Sequence, residues 1–198
     1  MLKLGLTGGI ATGKSSVAKM LREEGFIVLD ADALAHQLTE PGQPAYQQIL
    51  AEFGPHVAPA GRIDRAKLAA IVFADRAKLD RLNAIVHPRV RQAMLQKFTA
   101  WEREHGHGAV FVEAALLVEA GFEKNLDGLV ITWCTPEQQR ARLIARGLTE
   151  IEAQRRIASQ MPQDEKLRRA KYKIDCSQSI EETRRQVAQL AQILRPPQ

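Results

Sequence analysis

The chain has 198 residues, 45% apolar and 26% charged, an average globular composition with enough length for one domain and a sub-domain. No apolar run approaches the ~18–20 residues of a membrane span, and the chain enters a strand-like stretch at once, leaving no room for a leader peptide. The net charge of +5 is concentrated in residues 140–173, where ten basic residues oppose four acidic ones; the run reads either as a solvated helical face or as a surface that meets an anion, nucleic acid or a small molecule carrying several phosphates. Cys134 and Cys176 offer neither a disulfide framework nor metal-ligand spacing, and a cytoplasmic location is expected.

Five apolar stretches read as strands: LKLGLT (2–7), FIVLD (26–30), AVFVEA (109–114), GLVITWC (128–134) and YKIDC (172–176). Their runs are continuous rather than alternating, which suits strands covered on both faces. Helical patterns separate them, so the expected fold is α/β, a doubly wound three-layer arrangement on a five-stranded parallel sheet. Between the second and third strands lie some 78 residues, far more than a crossover needs. They read as the helices ADALAHQL, PAYQQILAEF, DRAKLAAIVF, RAKLDRLNAIV and PRVRQAMLQKFTAWERE, the last two broken at His87-Pro88. Later, Thr135-Pro136 opens EQQRARLIAR, which Gly147 closes. Thr149 with Glu152, and Ser179 with Glu182, have capping-box spacing before two further helices. The expected organisation is a core of residues 1–32, 106–139 and 171–195, a helical substrate-binding sub-domain over 33–105, and a lid over 140–170. RPPQ reads as a frayed tail.

The first strand runs into GGIATGKS and then a helix, the context in which G-x-x-x-x-G-K-[ST] binds phosphate. Bare glycines let several backbone N–H groups converge on an anion, and the new helix adds its positive end. Gly8, Gly9, Ala11, Thr12, Gly13, Lys14, Ser15 and Ser16 are therefore expected to cradle ATP. Lys14 is expected to reach the β- and γ-phosphates and the Ser15 hydroxyl to ligate Mg²⁺. The guanine-reading N-K-x-D sequence of switch GTPases is absent, and the chain is short for a motor or transport ATPase.

A kinase acting on a small molecule needs an acceptor site, a base and cations that close over the phosphoryl group. Asp32, just past the second strand, reads either as that base or as the N-cap of the following helix. Asp30 is nearer the strand and reads as structural. His36 follows one turn after Asp32. Glu113, ending VFVE, reads either as a strand-end carboxylate or as the acid that holds Mg²⁺ through water, with Glu119 a weaker second. Arg140, Arg142 and Arg146 fall on one helix, 142 and 146 on one face, and Arg155 and Arg156 on the next, before Gln160. Such arginine-loaded helices read either as a solvated face or as a lid over ATP. Tyr172 is the segment's one aromatic residue, so no stacking platform for nucleic acid is expected. A kinase of another acceptor, such as a nucleoside monophosphate or shikimate, and a nucleotide-dependent RNA-binding module remain the alternatives.

From residue 3 to about 190 the chain resembles dephospho-CoA kinases, P-loop kinases of the nucleoside monophosphate kinase-like group. The resemblance is carried by GLTGGIATGKSSVA, LDADALAH, EPG, RLNAIVHPRV, ALLVEAG, CTPEQQRARLIAR, RIASQMPQDEK and YKID. It implies transfer of the ATP γ-phosphoryl to the ribose 3′-hydroxyl of dephospho-CoA, with no membrane or nucleic-acid partner and a monomer or weak homo-oligomer. It implies Asp32 as the catalytic aspartate, residues 8–16 as the phosphate loop and 140–160 as the lid, with Arg142 and Arg146 catalytic. Asp32, His36, His87, Pro88 and Glu113 would then serve the acceptor. The chain departs from the family in Glu113 for Asp, Ala115 for Pro, Ala11 for Gly, and Cys176 for an Asn that can pair with the adenine edge.

Overall fold

The computed structural model describes residues 1–106 and 108–195; positions 196–198, within the expected tail, lie outside them. Five strands, Leu2–Gly8 (β1), Ile27–Asp30 (β2), Ala109–Glu113 (β3), Gly128–Trp133 (β4) and Tyr172–Asp175 (β5), form one parallel sheet in the order β2-β3-β1-β4-β5. The central position of β1 shows in its burial. Its residues from Leu4 onward, all of β3 and the middle of β4 are buried, whereas β2 and β5 at the edges are mostly half-buried. Lys14–Glu23 (α1) and Ile180–Leu194 (α9) cover the sheet through Val17, Leu21, Val187 and Leu190, which pack with Leu4, Leu6 and Phe111. Each such large side chain removed from water contributes about 1.5–3 kcal/mol. Because β2 and β3 lie on one side of β1 and β4 and β5 on the other, the carboxyl ends of β1, β3 and β4 open a crevice where α/β sheets bind ligands.

Pro136–Ile144 (α6), Glu150–Ala158 (α7) and Gln163–Arg168 (α8) follow β4. Thr135 with Gln138 and Thr149 with Glu152 form reciprocal capping boxes. At Ser179 only half of the expected box forms: the hydroxyl accepts from Glu182 N–H, but the Glu182 carboxylate is held by Arg185. α8 was not expected; its six residues have no room for a periodic pattern.

Contacts divide the chain into two units, residues 1–30 with 101–198, and residues 31–100. The second contains Ala31–Leu38 (α2), Pro44–Phe53 (α3), Arg65–Phe73 (α4) and most of Arg76–His105 (α5). Its own core is Ile49, Phe53, Val57, Leu68 and Val72. The break expected at His87-Pro88 does not occur: α5 runs unbroken for 30 residues with Pro88 inside it. Pro88 removes one N–H from the ladder, and in that turn the Arg89 guanidinium donates to the Ile85 carbonyl at 2.5 Å. Among the described residues no helix is long and apolar enough to cross a membrane.

Candidate active site

β1 ends at Gly8, and the chain then folds tightly before α1. A Cβ on Gly8 would stand 2.3 Å from Thr132 Oγ1 and 2.5 Å from the Thr132 carbonyl oxygen, so glycine is required there by close approach; one on Gly9 would stand 2.7 Å from Gln139 Nε2 and push that side chain aside. The Thr12 and Thr132 hydroxyls lie 2.8 Å apart, and Thr12 Oγ1 also donates to Gly9 O. Gly13 opens α1 at φ 100° with no side-chain cap, so the first N–H groups of the helix have no side chain competing for them. A cleft of about 240 Å³ is lined by the loop from Gly9 to Ser16 together with Ala115, Arg146 and Gln160. Ser15 and Ser16, among its lining residues, are exposed. The arrangement can hold a polyphosphate.

Lys14 does not project unpaired. Its Nζ donates to Glu113 Oε1 at 2.8 Å, and Arg22 Nη2 lies 3.6 Å from Oε2 of the same buried carboxylate. Glu113 pairs in register with Asp30 and Leu6, so it sits at the carboxyl end of the sheet beside the loop. Its carboxylate is thus balanced by two cations, and no group of three or more His, Cys, Asp or Glu able to hold a metal occurs among the described residues. The oxygen donors at the loop, the Ser15 hydroxyl and the Glu113 carboxylate, are of the kind Mg²⁺ takes.

Arg142 and Arg146 both line a second cleft of about 270 Å³, with Gly13, Ser16, Cys176 and Thr183. Arg142 Nη1 donates to Ala11 O at 3.1 Å and Nη2 to Cys176 O at 2.6 Å, bridging the phosphate loop to the turn after β5. Arg146 lies beyond the end of α6, so the two arginines reach one cleft without sharing a helical face. Among the described residues the Arg146 side chain makes no hydrogen bond or ion pair, and it is exposed. The remaining basic segment is partly spent internally: Arg140 pairs with Glu137 and Glu150, and Arg169 with Glu123 and Glu165. Arg155 and Arg156 are exposed at the end of α7. Cys176 is buried, and the Cβ of any residue replacing Gly13 would meet its Sγ at 2.9 Å. Burial pushes its thiol up to about 11, so it acts as a small packing residue here.

Several residues at the site had no sequence signal of their own. Gln139 Nε2 donates to Ile10 O at 2.8 Å, and Gln160 Oε1 accepts from Ile10 N–H at 2.7 Å. Gln163 Nε2 donates to Cys134 O. Lys166, wholly buried, donates to Glu119 at 2.8 Å and to Ala115 O at 3.2 Å, and Glu119 also accepts from Met161 N–H. Glu119 is therefore an anchor for the segment after α7. Only the family-like string RIASQMPQDEK marked this stretch.

The other expected site residues belong to residues 31–100. α2 begins at Ala31, so Asp32 is exposed in its first turn and is not the N-cap that the alternative reading required. His36 Nδ1 faces Arg65 Nη1 at 2.5 Å; the guanidinium can only donate, so this nitrogen accepts and the ring proton is on Nε2. His87 is half-buried on α5, and burial, then the charge of Arg91, lowers its pKa. Pro88, next to it, is exposed.

Residues 2–182 match the family model described as dephospho-CoA kinase. The chain is 48% identical over 186 residues to the dephospho-CoA kinase of Symbiobacterium thermophilum, covering 93% of this chain and 77% of that one. To the dephospho-CoA kinase of Geobacillus kaustophilus it is 46% identical over 188 residues, with 94% and 93% covered. In three dimensions it resembles the dephospho-CoA kinase of Campylobacter jejuni, with TM-score 0.72, 27% identity, and 96% and 95% of the two chains covered.

Proposed function

The chain belongs to the dephospho-CoA kinase family, which carries out the final step of CoA biosynthesis by phosphoryl transfer from ATP, and from that premise we propose how its residues divide the work. The observation that carries the reading is the uncapped start of α1 behind a glycine loop, with Lys14 and Arg146 on one cleft. The triphosphate lies along the loop N–H groups from Gly9 to Ser16. Lys14 exchanges its carboxylate partner Glu113 for the β- and γ-phosphates, and Arg146, otherwise unengaged, neutralises charge on the phosphoryl group in transit. Arg142, already committed to two carbonyls, shapes the loop and the nucleoside cleft. The adenine end occupies the space beside Cys176, whose buried Sγ leaves base contact to backbone groups and Gln178.

Ser15 and Glu113 are the residues that would hold Mg²⁺ with the nucleotide; the cation would neutralise the β- and γ-oxygens. Asp32, in the first turn of α2, takes the proton of the ribose 3′-hydroxyl or orients it for in-line attack, and His36, His87 and Pro88 serve the acceptor. The two cysteines are free and buried, which suits a reducing cytoplasm, and the protein is read as a monomer or weak homo-oligomer without nucleic acid. Asp32→Asn tests the assignment because it keeps size while removing charge. Turnover of dephospho-CoA should fall roughly 10²–10⁴-fold with ATP affinity retained. A variant with near-normal kcat would overturn it.

A further inference from the structure

We propose that Gln160 is a positioning residue for phosphoryl transfer: through the peptide of Ile10 it holds the phosphate loop in its anion-binding shape and ties that shape to the segment between α7 and α8. The inference rests on the nucleotide-binding reading of the loop given above.

The loop contains one backbone feature that needs an external cause. Ala11 has φ 61°, the only non-glycine positive φ among the described residues. A residue with a Cβ is disfavoured there, and the conformation persists only where the surroundings over-determine it. Three side chains from the α6–α8 segment do so. Gln160 Oε1 accepts from Ile10 N–H, Gln139 Nε2 donates to Ile10 O, and Arg142 donates to Ala11 O, at 2.7, 2.8 and 3.1 Å. Gln139 and Arg142 thereby hold the peptides on both sides of the Ala11 Cα, and Gln160 holds the Gly9–Ile10 peptide that leads into them. Apolar packing of Ile10 and Ala11 with Leu143, Ala153 and Ile157 presses the same turn onto α6 and α7.

Within that clamp Gln160 is distinctive. Gln139 is buried and wedged against Gly9, so it belongs to the packing. Gln160 is only half-buried and lines the phosphate cleft itself. A backbone N–H can only donate, so the atom facing Ile10 must be the amide oxygen, which assigns the orientation of the side chain. The next residue, Met161, is anchored by its N–H to Glu119, which the buried Lys166 holds in turn. Gln160 therefore reaches the loop from a fixed frame, and its loss releases the Ile10 N–H without removing a core side chain.

The experiment compares wild type, Gln160→Ala, Gln160→Glu and Lys14→Ala by steady-state kinetics, thermal unfolding and amide hydrogen exchange at Ile10 in the nucleotide-free protein. For Gln160→Ala, loss of one hydrogen bond predicts about a three- to tenfold rise in KM for ATP. KM for dephospho-CoA and the unfolding midpoint should stay unchanged, and protection of the Ile10 amide should be lost. Gln160→Glu keeps an acceptor oxygen and should restore that protection. Wild-type ATP KM and Ile10 protection in Gln160→Ala, beside an inactive Lys14→Ala, would overturn the inference alone. A parallel rise in both KM values with a lowered midpoint would reduce Gln160 to a stability role and also overturn it. A fully active Lys14→Ala would instead remove the nucleotide-site reading, and the inference with it.

Discussion

Glu113→Gln separates two roles that a single carboxylate fulfils. Glu113 holds Lys14 at 2.8 Å, with side chains 8% and 16% exposed, so solvent screens the pair little. On the role proposed for Lys14, ATP displaces this carboxylate as Lys14 turns to the triphosphate. Glutamine keeps an oxygen for the ammonium but turns an ion pair into a hydrogen bond charged only at its donor, a loss of about 1–1.5 kcal/mol, or half of a charge-assisted bond of about 2–3 kcal/mol. The resting competitor is weakened by about 1–1.5 kcal/mol, and ATP without divalent cations should bind roughly five- to twelvefold more tightly. Arg22, whose side chain is 45% exposed, turns to solvent at little cost. With Mg²⁺ present the proposed role of Glu113 toward the cation predicts the reverse, and kcat should fall. Calorimetric titration of ATP with and without Mg²⁺ reads both arms. Unchanged or weaker Mg²⁺-free binding would refute the idea that Glu113 occupies Lys14 in competition with nucleotide.

Gly13→Ala places a Cβ at φ 100° and 2.9 Å from Cys176 Sγ. The backbone costs about 1–2 kcal/mol and the overpacking about 1–3 kcal/mol, so the unfolding midpoint should drop by at least ~5 °C; an unchanged midpoint would contradict the geometry. His87 should make stability depend on pH with a definite sign. Burial, then Arg91, lowers its folded pKa below the ordinary 6.5, so the unfolded chain takes up the proton first as pH falls. Its contribution to stability is therefore intact above pH 6.5 and lost progressively below it, toward the lowered folded value. Urea unfolding at pH 7.5 and 5.5 should show a smaller pH difference in His87→Gln than in wild type; equal differences would refute the assignment.

Local pattern was enough to determine the strands, the phosphate loop and most helix ends. Buried parallel strands must be continuous apolar runs, and Gly8, Gly13, Lys14 and Ser15 stand at a spacing that only a strand–loop–helix turn uses. Thr135 and Thr149 announce their helices because a cap acts within four residues. The His87-Pro88 break failed for the same reason of range: a proline costs one local hydrogen bond, which the rest of a 30-residue helix outweighs. The strand order, the pairing of Lys14 with Glu113, and the clamp of Gln139, Gln160 and Arg142 on Ile10 and Ala11 were decided by tertiary structure. Gln160 meets Ile10 across 150 residues, and a polar side chain bonded to a distant peptide leaves no periodicity, cap or spacing in the sequence around it.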